Sequence, residues 1–190
     1  MAGFHTRHRG TRDLDLFFRP QSTLGDVVAA ARNALQADGL AITVLRSTPT
    51  FAQLDVKNAD EAVVIDLVAD PTPIAEEPQP TQLGSTTILV ETPHQLLVNK
   101  LCALLSRSEL RDLVDVRVLI ARGGDLSRAL RDCPGQDAGF SPLSFAWCVR
   151  GLDLPKLGAA VGMSTAQVEE LDRFRLELID RVLAEAKPSA

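Results

Sequence analysis

The apolar pattern of this chain changes period once, across a segment with four prolines in ten residues (Pro71, Pro73, Pro78, Pro80), and that change orders what can be built on either side. Upstream, DLDLFFR (13–19) alternates apolar and polar residues, LAITVLR (40–46) and FAQLDV (51–56) are short β-rich runs, and AVVIDLVAD (62–70) reads as a buried strand. Between the first two, Thr23 or Ser22 is placed to cap an amphipathic helix, LGDVVAAARNALQADG, which Gly39 stops. The expected order is strand, helix, strand, strand, strand. The proline segment PTPIAEEPQPTQLGS (71–85) reads as a loop wrapping this first half.

Downstream the pattern is helical. Thr92, Pro93 at the first helical position and Gln95 three residues after the cap form a start signal for QLLVNKLCALLSR. Further helices are expected through ELRDLVDVRVLIARGG, DLSRALRDC, PLSFAWCVRGL after Ser141, and TAQVEELDRFRLELIDRVLAEA after Ser164. Val168, Leu171, Leu178, Val182 and Leu183 form a packing stripe on the last, and Phe140 and Trp147 are expected in the core. The fold class is therefore α+β: a small mixed β-sheet core with helices over 1–91, then a helical region over 92–190 packed on it.

The composition narrows the function. With 190 residues, 45% of them apolar, the chain can bury a sizeable core. Its longest apolar runs fall far short of the about 20 residues that span a bilayer, so no membrane role is expected. No secretion signal is visible, and Cys102, Cys133 and Cys148 lack zinc or disulfide spacing; they read as reduced cytoplasmic thiols. A net charge of −5 argues against a broad nucleic-acid surface. The local exception is residues 1–20, where Arg7, Arg9, Arg12 and Arg19 surround Asp13 and Asp15, a segment suited to a small polyanion such as a triphosphate.

Three features carry candidate chemistry. Asp13 and Asp15 lie two apart on a strand, so both leave one face, as a pair holding a hard cation beside phosphates would; a half-buried strand with its polar face in water has the same spacing. Asp66 interrupts a run in which seven of nine residues are apolar, and a charge there requires a metal or a partner such as Arg46. Lys100 emerges among Leu96, Leu97, Ala103 and Leu104, and is one of four lysines against sixteen arginines. A compact ammonium suits phosphate, while a snorkelling side chain at a helix edge fits the same pattern. On the next helix Arg111 and Asp115 (i, i+4) and Asp112 and Asp115 (i, i+3) share one face, which reads as a solvated surface with internal ion pairs. The three histidines show no metal spacing.

Taken in order, FHTRHRGTRDLDLFFR, VVIDLVADP, ETPHQLLVNKLCALLSRSELRDLVDVRVL and DAGFSPLSFAW resemble the nucleotidyl transferase AbiEii/AbiGii toxin family over roughly residues 4–150. The resemblance implies a polymerase-β-like nucleotidyltransferase core at 1–91, with transfer of NMP from an NTP to an acceptor that in some relatives is the tRNA 3′ end. It implies two Mg²⁺ ions held by Asp13, Asp15 and Asp66, with catalytic roles for these acids, Lys100 and Asp112. Nucleotide contacts fall to Lys100, Arg9, Arg12, Arg111 and Asp115. The implied partners are the NTP, tRNA and an antitoxin-type DNA-binding regulator encoded alongside. The glycine turn that such proteins carry ahead of the F-H segment has no counterpart, since the chain opens Met1-Ala2-Gly3. The expectation is either an upstream start or a shortened form with weakened nucleotide binding. Two alternatives share these residues: a catalytically silent binding or regulatory remnant of the fold, and a transferase acting on a small molecule or protein.

Overall fold

The computed structural model describes residues 13–19 and 21–186, which divide into two compact units, the first ending at Thr72 and the second starting at Pro73. The first unit holds β1 (Asp13–Phe18), α1 (Val27–Ala37), β2 (Ala41–Ser47), β3 (Phe51–Lys57) and β4 (Ala62–Ala69). Its sheet runs β1-β4-β3-β2, with β1 parallel to β4 and the other neighbours antiparallel. The order of elements is the one expected from sequence.

One face of the sheet makes the core of this unit. Ala52, Leu54 and Val56 of β3 alternate inward and meet Ile65, Leu67 and Ala69 of β4; Leu24 and the apolar side of α1, including Val28, Ala31 and Leu35, pack on them. α1 begins later than the Ser22–Thr23 signal suggests. Gly25 takes φ +48° and turns the chain before Asp26, while the Leu24 amide bonds to the Pro49 carbonyl, so neither hydroxyl residue reaches a capping position. The far end closes at Gly39, with φ +80°, as expected.

The second unit opens with a hairpin, β5 (Gln79–Leu83) and β6 (Thr86–Val90), where a loop is expected from the prolines. A two-stranded ribbon has an unpaired edge on each strand, so Pro80 is accommodated without costing a ladder bond. Gly84, with φ +59°, makes the tight turn.

Six helices follow: α2 (Pro93–Ser106), α3 (Leu110–Ala121), α4 (Leu126–Gln136), α5 (Pro142–Arg150), α6 (Leu154–Ala160) and α7 (Thr165–Glu185). Thr92 caps α2 by accepting from the Gln95 amide, and Ser164 with Gln167 forms a full capping box on α7. α2 is the centre of this unit, burying Leu96, Leu97, Val98, Leu101, Cys102 and Leu104 against α3, α4 and α5. Gln95, also buried, accepts from the amides of Ala75 and Glu76 and donates to Asn99 and Gln136, so a polar network ties the segment before β5 to α2 and α4.

α6 has no counterpart among the sequence expectations. Its Gly158 lies where an added Cβ would come within 2.6 Å of a Val168 methyl, so the glycine that weakens the helical signal is what lets α6 approach α7. Phe140 is buried as expected, but Trp147 is 78% exposed, because α5 buries Phe145, Ala146 and Val149 instead.

Leu67 is fully buried on β4, directly behind the strand residue Asp66. Leu67→Ala is expected to lower the unfolding free energy by about 2–5 kcal/mol, measured by urea denaturation, whereas Trp147→Ala should leave it within about 0.5 kcal/mol.

Candidate active site

Strand register decides where the acids go. Asp13 and Asp15 leave β1 on one face, and parallel pairing aligns Asp15 with Asp66 of β4, so the third acid shares that face. The opposite face is the apolar core, which leaves this as the only side on which the three carboxylates can sit together. Asp66 is half-buried, and Gln53, its antiparallel neighbour on β3, donates to its Oδ1 at 2.9 Å. Arg46 is therefore not the partner of Asp66; its guanidinium sits over the Phe51 ring at 5.6 Å. Beyond the acids, Arg19 bonds Asp70 at 2.9 Å and closes the ends of β1 and β4.

Carboxylate oxygens are the donors that hard divalent cations prefer. Among the described residues no three His, Cys, Asp or Glu side chains stand close enough to hold an ion by themselves. The Gln53 bond accounts for one oxygen of Asp66. Mg²⁺ commonly takes only one or two carboxylates and completes its shell with substrate phosphates and water, a requirement the Asp13 and Asp15 pair fits. Arg9 and Arg12, expected at this end of the molecule, lie outside the described residues.

The remaining candidates belong to the second unit, where they form a buried ion cluster. Lys100 of α2 reaches Asp112 Oδ1 and Asp115 Oδ2 of α3, each at 2.8 Å. Arg107 adds two further bonds to Asp112, from Nε at 2.8 Å and from an Nη at 2.9 Å. Both aspartates are 0% exposed and Lys100 is 14% exposed. This overturns the reading of Asp112 and Asp115 as a solvated helix face. Their partner comes from α2, twelve or more positions away in the chain, and the i, i+4 partner Arg111 turns outward to Glu109 at 2.6 Å. It also corrects the snorkelling reading of Lys100, for the ammonium is drawn inward to paired acids and is 14% exposed.

Burial alone would raise the Asp112 carboxyl, but hydrogen bonds from Arg107 and Lys100, reinforced by their charges, hold it below the ordinary aspartate range. Asp112 thus stays ionised. Gln53 and Arg107 carry little signal in the sequence, since each is an ordinary polar residue until the strand register or the α2–α3 pairing gives it a neighbour. His94, on the first turn of α2, pairs with Asp132 at 2.7 Å.

A four-stranded mixed sheet with acids on its open face, followed by helices, defines a nucleotidyltransferase-type fold. The chain belongs to the AbiEii nucleotidyl transferase toxin family of type IV toxin–antitoxin systems, whose family model matches residues 1–184. Two solved structures are similar to the chain, and the first shares its fold. One is a candidate nucleotidyltransferase from H. pylori, 18% identical, with 97% of this chain and 82% of that chain covered at a TM-score of 0.51. The other is JHP933 from Helicobacter pylori, also 18% identical, covering 97% and 80% at 0.48. No curated protein matches the chain in sequence. Among the described residues no helix is long and apolar enough to cross a membrane.

Removing the cation from the buried cluster leaves two carboxylates without their shared partner. Lys100→Met is expected to cost about 3–5 kcal/mol in urea denaturation at neutral pH. A depressed carboxylate stabilises the fold above its unfolded value, near about pH 4, and that contribution is lost as pH falls through the lower folded value. The difference between wild type and Asp112→Asn should therefore be constant from neutrality to about pH 5 and shrink only below about pH 4.

Proposed function

We propose that this chain is a metal-dependent nucleotidyltransferase that moves NMP from an NTP to an RNA acceptor, with the tRNA 3′ end as the preferred acceptor. The observation that carries the reading is the alignment of Asp15 with Asp66 beside Asp13 on the open face of the sheet, in a chain of this family. Asp13 and Asp15 would hold Mg²⁺, with substrate phosphates and water completing its shell and Asp66 beside them as proton acceptor. Bound there, the metal supplies charge neutralisation at the attacking and leaving oxygens of an in-line displacement.

The chain's own residues do the rest. Asp66, steadied by Gln53 at one oxygen, offers the other to the acceptor hydroxyl and accepts its proton. Within the second unit, Lys100 carries three N–H donors, and its bonds to Asp112 and Asp115 leave one that suits a phosphate oxygen. Asp112 and Asp115 act through Lys100 by fixing its position. Arg9 and Arg12, which the family resemblance assigns to the nucleotide, would add positive charge for the departing pyrophosphate. The partner expected for a toxin of this type is an antitoxin-type DNA-binding regulator.

The test is incubation of the purified chain with each α-labelled NTP, Mg²⁺ and total RNA, followed by resolution of the products. Label is expected in the tRNA band, and Asp15→Asn and chelation should each reduce it by about a hundredfold or more. Label in protein or a small molecule would overturn the RNA acceptor. Transfer that survives both Asp15→Asn and chelation would overturn the mechanism, and no product under any condition would favour a silent remnant of the fold.

A further inference from the structure

The acid face extends across all four strands, and its far end is built by an irregularity. Between β2 and β3, Ile42 faces Val56, Thr43 faces Asp55 and Val44 faces Leu54, in regular alternation. The register then shifts, and Arg46 faces Gln53. In an unbroken strand Arg46 would follow Ile42 and Val44 onto the core face, because side chains two and four apart point the same way. The extra residue at Leu45 reverses that parity and brings Arg46 round to the acid face, which is what a bulge does to the side chains after it.

The result is a transverse row, Asp15, Asp66, Gln53 and Arg46, one residue from each strand, paired neighbour to neighbour. Two other charges from β3 occupy this face, Asp55 and Lys57, and they neutralise each other at 2.6 Å. Arg46 is left exposed, and among the described residues no acid pairs with it. Its guanidinium is held over the Phe51 ring, a contact that limits its rotamers without using its N–H donors. Two strand spacings separate Arg46 from Asp66 on the sheet, roughly 10 Å, on the side away from Asp13 and Asp15.

We propose that Arg46 is a binding residue for a phosphodiester of a polynucleotide acceptor, gripping the strand whose terminal hydroxyl lies at Asp66. The inference rests on the proposed role of Asp66 and adds the acceptor's track across the sheet: metal and nucleotide at β1, hydroxyl at β4, backbone phosphate at β2. A planar, exposed guanidinium matches phosphate in a bidentate manner, and a contact of this kind adds a local grip on the backbone in a chain of net charge −5.

The experiment is filter binding of labelled total tRNA to the 190-residue chain over a series of salt concentrations, with wild type, Arg46→Ala and Arg46→Lys, alongside Mg²⁺–NTP affinity for the same proteins. Arg46→Ala should weaken tRNA binding by about tenfold and lower the slope of log K against log salt by about one. Arg46→Lys should restore the slope and only part of the affinity, and NTP affinity should be the same in all three. Thermal melts establish that the exposed substitution leaves the fold unchanged. Unaltered tRNA affinity and slope in Arg46→Ala would overturn the proposal while leaving metal-dependent transfer standing. Loss of NTP affinity in its place would reassign Arg46 to the nucleotide, and a wild type that binds no polynucleotide would overturn both the track and the RNA acceptor.

Discussion

Parallel pairing of β1 with β4 is the constraint on which the acid face depends. A sheet has a period of two, so a slip of one residue would send Asp66 into the core and Leu67 out of it. The orientation of β4 is held from behind, where Leu54 and Leu67 are fully buried and Ile65 and Ala69 nearly so, and β1 is tied to the same core through Phe18. Like charges on neighbouring strands repel, so the mutual interaction of Asp15 and Asp66 opposes this alignment. Burial of aliphatic side chains on one face thus holds in place a concentration of negative charge on the other, and the Gln53 bond is a local compensation at Asp66.

The second unit solves the converse problem, keeping charges inside an apolar helical core. Asp112 and Asp115 lie among residues such as Leu113, Val116 and Leu119 on a helix that would pack more simply with aliphatic side chains there. Two buried carboxylates are tolerated because Lys100 serves both and Arg107 binds one of them through two hydrogen bonds. Such a cluster is a poor source of stability compared with apolar packing. It does fix the position and charge of Lys100 closely, which is a reason for a chain to retain it.

Much of this was legible from residue order, and the failures have identifiable causes. The D-x-D spacing and the lone charge in AVVIDLVAD gave the acid face because strand parity and burial are local properties. Lys100 stood out for the same reason. The burial of Asp112 and Asp115 was not legible, because an i, i+3 or i, i+4 charge pattern looks the same on a solvated helix as on one facing a cation from another helix. Arg46 is the sharpest case: the sequence offers it only as a candidate partner of Asp66, and its place opposite Gln53 depends on the bulge at Leu45, which residue order does not announce. Pro80 concealed a strand and Gly158 a helix, each residue being tolerated or required by a neighbour distant in the chain or lateral to it.

The central claim is that the β1 acids hold a divalent metal together with a nucleotide. Its most direct test is a titration of Mn²⁺ into the purified chain with a non-hydrolysable NTP analogue, followed by the paramagnetic resonance signal of free Mn²⁺. Wild type should lower the free signal below the level set by Mn²⁺ and the nucleotide alone, and the double variant Asp13→Asn, Asp15→Asn should leave it at that level. Equal sequestration by wild type and the double variant would contradict the account.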